Sequence, residues 1–129
     1  MQSNKGFSMI ELMIAAAIFA FGMLAIAGMS YTSVYLVNTS NNRFTATTLA
    51  QAVVEEARNH GQSWASAKDG ETKFFDELGN EISGQVASGV VFTRQINTQV
   101  LGTGVLMRVK VTWIERGEAK NVVQSAVIY

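Results

Sequence analysis

The sequence predicts an α+β fold, a long N-terminal α-helix packed on a small antiparallel β-sheet of three to four strands. Three observations carry it. Leu12 to Met29 is an apolar run without one charged side chain. Ala46, Leu49, Ala50, Val53 and Ala57 recur at the i, i+3, i+4 spacing of a helix with one apolar stripe. Leu106 to Glu115 alternates apolar and polar residues, the period of a half-buried strand.

Composition narrows the function classes. The chain has 129 residues and formal net charge +0, so bulk electrostatics point neither to nucleic acid nor to acidic lipid. Cysteine is absent, which removes disulfides, thiolate metal sites and cysteine nucleophiles. Proline is absent too, so no helix is interrupted by it. Charged residues make up 16% of the chain, below the usual quarter, and residues 1–42 explain the deficit because Lys5 and Glu11 are their only charges.

The first element is a helix from Phe7 to His60, about 80 Å long at about 1.5 Å per residue. Its first half is apolar all round and approaches the roughly 20 residues a membrane span needs. Lys5 on the short flank favours a cytoplasmic N-terminus. Ala25-Ile26-Ala27 fits a small-x-small cleavage site for a secretory signal, but the run is longer than a signal's apolar core and Glu11 stands at its head. Gly22 and Gly28 read either as points of close packing through small residues or as places where the helix bends. The second half is amphipathic, with Glu55, Glu56 and Arg58 facing away from the apolar stripe. Gly61 stops it, with Arg58 and His60 in the last turn, where cations suit the helix dipole.

Residues 62–89 are the least regular. Gln62 to Lys73 is polar apart from Trp64, and Asp69-Gly70 marks a turn. Phe74-Phe75, Leu78-Gly79-Asn80 and Ile82 predict a short hairpin. Val90 to Val100 is a strand with Val90, Phe92 and Ile96 on one face and Arg94 breaking it. Leu106 to Glu115 puts Met107, Val109, Val111 and Trp113 on one side and Arg108, Lys110 and Thr112 on the other. Val122 to Ile128 is a third strand. Gly102-Thr103-Gly104 and Arg116-Gly117-Glu118 are turns, and short turns imply an antiparallel meander with its apolar face on the helix stripe.

A lone carboxylate at the head of a spanning run is costly, by about 3 kcal/mol at mid-membrane. Gly6-Phe7-Ser8-Met9-Ile10-Glu11 ahead of a long apolar helix resembles the type III signal of type IV prepilins and pseudopilins. The resemblance implies that a membrane-embedded aspartyl prepilin peptidase cuts after Gly6, leaving residues 1–6 as the leader, and N-methylates Phe7. Glu11 matches the family's glutamate five residues into the mature chain. It implies residues 7–29 as a transmembrane and assembly helix, 30–60 as the amphipathic half of that helix and 61–129 as a globular sheet head. In a bundle of such helices Glu11 pairs with the Phe7 amine of a neighbour, so a subunit at the wrong height leaves a carboxylate unpaired. The bland alternative is a helix-end carboxylate reaching the membrane surface.

Thr45 to Ala57, Val109 to Gly117 and Phe21 to Gly28 resemble PilV-type minor pilins and I-type minor pseudopilins of type II secretion. The expected function is a minor type IV pilin, with a minor pseudopilin or a major pilin as alternatives. The partners so implied are the prepilin peptidase, other pilin or pseudopilin subunits and the bacterial inner membrane. The head would face the periplasm before the subunit enters a filament. A single-pass membrane protein that never polymerises is the competing class.

Other chemistry finds little support. Glu56 and His60 have metal-ligand spacing, but two ligands do not make a site. Asp76, Glu77 and Glu81 lack the regular oxygen spacing of a calcium loop. No phosphate loop, nucleophile elbow or triad pattern is present. Arg94, Arg108 and Lys110, read on exposed strand faces, are the only basic candidates for nucleic acid, and none is expected to bind it. No cofactor, metal or enzymatic activity is expected.

Overall fold

The computed structural model describes residues 6–83 and 89–129; Lys5 and the other residues of the expected 1–6 leader apart from Gly6 lie outside the described residues. The chain divides into two compact units, residues up to Asn38 and Thr39–Tyr129. One continuous helix, α1 (Met9–His60), contributes to both. It begins two residues later than the expected Phe7, because Gly6, Phe7 and Ser8 are outside regular structure.

In the second unit the stripe of α1 is the helical wall of the core. Ala46, Ala50 and Ala57 are fully buried, with Val53 and Val54 beside them and Leu49 packed at the margin. Three alanines in register let the helix lie close to the sheet, where bulkier side chains would hold it off. Gly61 (φ 82) ends α1 in the left-handed region, and its N–H donates to the Ala57 carbonyl at 2.8 Å. The polar stretch after it is not irregular throughout: a short helix α2 (Gln62–Ala67) follows at once, packing Ala65 into the core. His60 and Trp64 stack across the junction, with ring centroids 5.4 Å apart.

The sheet has five strands, one more than the three to four expected: β1 (Thr72–Phe75), β2 (Glu81–Ile82), β3 (Phe92–Leu101), β4 (Gly104–Glu115) and β5 (Glu118–Ile128). All neighbours are antiparallel, in the order β2-β1-β3-β4-β5. The additional strand comes from the short hairpin, since β1 pairs β3 along Thr72–Phe75 and carries the two-residue β2 on its other side. β4 and β5 also start earlier than the apolar alternation does. Their turns are only two residues long, so pairing runs up to Leu101↔Gly104 and Glu115↔Glu118. Arg116 (φ 53) and Gly117 (φ 80) both take positive φ, the backbone of a type I′ turn matched to strand twist.

The inner sheet face supplies Phe92, Ile96, Met107, Val109, Val111 and Trp113, all buried. Phe92 and Trp113 lie directly opposite in register and their rings meet at 6.1 Å, tilted by 55°. Trp113 is thus core, whereas Trp64 is half-buried at the rim. The expectation for Arg94 is overturned. It does not sit on an exposed face but alternates in step with Phe92 and Ile96, and is 8% exposed on the core side.

Candidate functional site

The N-terminal segment combines a free backbone, a carboxylate and an uncovered apolar surface. Gly6, Phe7 and Ser8 precede the helix and are exposed, Phe7 to 85%. Nothing lies within 4 Å of the place a side chain would occupy at Gly6. A peptide bond here is not locked in helical hydrogen bonds, the condition an endopeptidase requires of its substrate. The Ser8 carbonyl accepts the N–H of Glu11 at 3.0 Å and of Leu12 at 3.1 Å, which starts α1. Glu11 therefore lies in the first turn, where the positive end of the helix dipole favours a carboxylate. Phe7 lies outside the helix, so the helical-turn spacing between Phe7 and Glu11 is not formed in this chain.

From Met9 to Val37 the large apolar side chains of α1 are exposed, Ile10, Leu12, Phe19, Phe21 and Leu24 among them. Among the described residues this is the one helix long and apolar enough to cross a membrane. Full burial of each such side chain is worth about 1.5–3 kcal/mol, so a surface of this size requires lipid or neighbouring helices. Gly22 and Gly28 face open space. Beyond Gly28 three hydroxyls turn back onto the helix: Ser30 Oγ donates to the Ile26 carbonyl at 3.0 Å, Thr32 Oγ1 to Gly28 at 3.1 Å and Ser33 Oγ to Met29 at 2.9 Å. These polar residues carry their own hydrogen-bond acceptors with them.

The head shows how its charged groups are used. The Arg94 guanidinium lies over the Phe75 ring at 4.8 Å, and its Nη1 donates to the Leu49 carbonyl at 3.3 Å. Its Nε, like Trp113 Nε1, is buried without a hydrogen-bond partner among the described residues. Burial pushes the Arg94 pKa down, and Glu71, Glu81 and Glu56 push it back up. Asp76 organises the β1–β2 turn. It accepts the side-chain N–H of Asn80 at 3.0 Å and the backbone N–H groups of Leu78 at 2.9 Å and Asn80 at 2.8 Å. These bonds, the Asn80 side chain foremost, hold its carboxyl below the ordinary value. Glu118 is lowered by the Lys120 ammonium 2.6 Å away. The Thr39 hydroxyl donates to the Glu115 carboxylate, tying α1 to the end of β4.

Asp76, Glu81 and His60 are occupied structurally. Both Asp76 oxygens serve the turn, and Glu81 pairs with Lys73 at 2.9 Å. His60 Nδ1 meets the Glu56 backbone carbonyl, not its carboxylate. Among the described residues no group of three or more His, Asp or Glu side chains stands close enough to hold a metal ion. Arg108 and Lys110 are exposed on the outer face of β4, without Arg94 beside them.

Residues 1–27 match the family model of the prokaryotic N-terminal methylation motif. The motif is a type IV pilin-like signal, and it implies processing by a prepilin peptidase and association with the membrane. No curated protein and no solved structure matches the chain.

Proposed function

We propose that this chain is a minor type IV pilin, a structural subunit that primes or joins a pilus. The observation that carries the reading is the methylation motif in register with an exposed apolar helix and followed by a small α+β head. In this reading the peptidase cuts between Gly6 and Phe7 on the cytoplasmic side and methylates the new amine of Phe7. Residues 7–29 hold the subunit in the inner membrane, with the head in the periplasm.

Removal of residues 1–6 creates a cation at Phe7, four residues before Glu11. In a helical bundle the Glu11 carboxylate of one subunit meets the amine of the next. Apolar surroundings make an unpaired carboxylate strongly unfavourable, so the pair reports on axial register. Minor over major is supported by the likeness of Thr45 to Ala57 and Val109 to Gly117 to PilV-type pilins. It is also supported by the lack of the cysteine pair that many major pilins carry. The same likeness extends to I-type pseudopilins, which makes a minor pseudopilin the second reading.

Mass spectrometry of the chain expressed with and without a prepilin peptidase tests the proposal. A mature chain beginning at N-methylated Phe7, seen only with the peptidase, is the expected result. A chain that keeps Met1, or that begins at Gly28, overturns it. Co-purification with pilus fibres against type II secretion components then separates the two readings.

A further inference from the structure

The two edges of the sheet are unequal. At one side β2 is two residues long, and Lys73 and Glu81 form an ion pair there. At the other, β5 runs for 11 residues with no strand on its outer side among the described residues and with an unbroken register against β4 from Glu118 to Ile128. Natural edges are usually blunted by proline, a bulge, a charge or shortness. Residues 121–128 of β5, Asn-Val-Val-Gln-Ser-Ala-Val-Ile, have none of these. Glu118 and Lys120, the charges of this strand, sit at its start and pair with each other.

Backbone geometry identifies the groups left open. The pair closing a two-residue hairpin exchanges both backbone hydrogen bonds, and such pairs alternate along the ladder. Counting from Glu115↔Glu118, the N–H and C=O of Asn121, Val123, Ser125 and Val127 point to the open edge. The inner face is also incomplete on this side. Val122, Gln124 and Ala126 of β5 are only half-buried, whereas Met107, Val109 and Val111 of β4 are fully buried. An open groove of about 340 Å³ runs beside them, lined by Gln51, Val54, Glu55, Arg58, Gln124 and Ser125.

We propose that β5 is a docking edge for a second copy of this chain, the two β5 strands pairing antiparallel about a two-fold axis through Val123, the midpoint of the strand. Strand addition satisfies the open backbone groups and extends the sheet across both copies. The occupant follows from charge and from the inequality of the edges. This register sets Asn121 opposite Ser125, Val122 opposite Gln124 and Lys120 opposite Ala126, so no like charges face each other. The short, charged β2 edge offers no matching site, so association closes as a dimer and does not propagate from edge to edge.

The absence of native cysteine makes disulfide mapping on the full chain in detergent a direct test. Hydrogen-bonded antiparallel partners have Cα atoms about 5.5 Å apart, within the disulfide range of about 4.4–6.8 Å. Under mild oxidation Val123→Cys should give about tenfold more covalent dimer than Lys110→Cys, which sits one strand in from the edge. Asn121→Cys mixed with Ser125→Cys should cross-link, while each alone should not. These readouts respond to β5 and not to association through α1. Equal cross-linking at positions 123 and 110 overturns the proposal, as does failure of the mixed 121/125 pair.

Discussion

Glu11, Asp76 and Arg94 are three charged residues with different physical roles. If Glu11 sets register through the Phe7 amine, Glu11→Ala enters the membrane normally but is lost from filaments, and Glu11→Gln, which keeps the shape without the charge, fails in the same way. Membrane and pilus fractions probed by immunoblot check this; normal incorporation of either variant would remove the pairing argument. Asp76 has a folded pKa below its ordinary 3.8. Its contribution to stability is therefore complete above that value and fades as pH falls through it toward the folded pKa. Asp76→Ala should shrink the acid-induced drop in melting temperature below about pH 4, read by circular dichroism. Among the described residues Arg94 is held by one long hydrogen bond and a ring contact, and one of its nitrogens has no partner. A buried charge with such partial satisfaction is replaceable by an apolar side chain of similar length. Arg94→Met should fall within about 1 kcal/mol of the parent, whereas Arg94→Ala, which also opens space over Phe75, should cost about 2 kcal/mol. Urea titration of the three chains decides.

The helix and the sheet were legible to different depths, and the reasons are physical. The alanine and valine stripe of α1 is a long periodic signal, and Ala46, Ala50, Val53 and Ala57 are all buried where the spacing put them. Because the helix–sheet distance rests on alanines, Ala50→Leu should destabilise the head by about 1–3 kcal/mol through overpacking. A thermal melt that leaves it unchanged would show that the interface yields. The alternation of β4 was equally clear. β2 has no period of its own in two residues and was read through its hairpin turn at Leu78-Gly79-Asn80, whereas α2 was hidden because its six residues, polar or small apart from Trp64, give no stripe. Arg94 is a different kind of miss: its place between Phe92 and Ile96 was evidence for the inner face, and its charge outweighed that evidence. At the β4–β5 turn, Gly117 holds a φ that side chains with a Cβ resist. Gly117→Ala should therefore cost about 1–2 kcal/mol, with the strand ends fraying first in amide exchange. The N-terminal motif was readable over residues 1–27 because a signal of this kind is a short local pattern, whereas what the head meets depends on surfaces that no motif encodes.

At the scale of the whole molecule, apolar surface is divided sharply between a covered core in the head and an uncovered stretch of helix. Every buried core residue falls within Thr39–Tyr129. That fragment alone should stay in solution without detergent and melt cooperatively, while the full chain should partition with membranes. Sedimentation after extraction, with calorimetry on the fragment, checks both halves of the statement.

The hydroxyls of Ser30, Thr32 and Ser33 bear on how the helix would pass from one solvent to another. Each is already bonded to a carbonyl one turn below, so its proton asks nothing further of water or of lipid. A shift of the helix along its axis by about one turn, about 5.4 Å, carries this collar across the boundary of the hydrocarbon without stranding a donor. In a membrane, the C-terminal end of the apolar segment would then be a sliding boundary, and what grips the N-terminal end would set the depth of the helix.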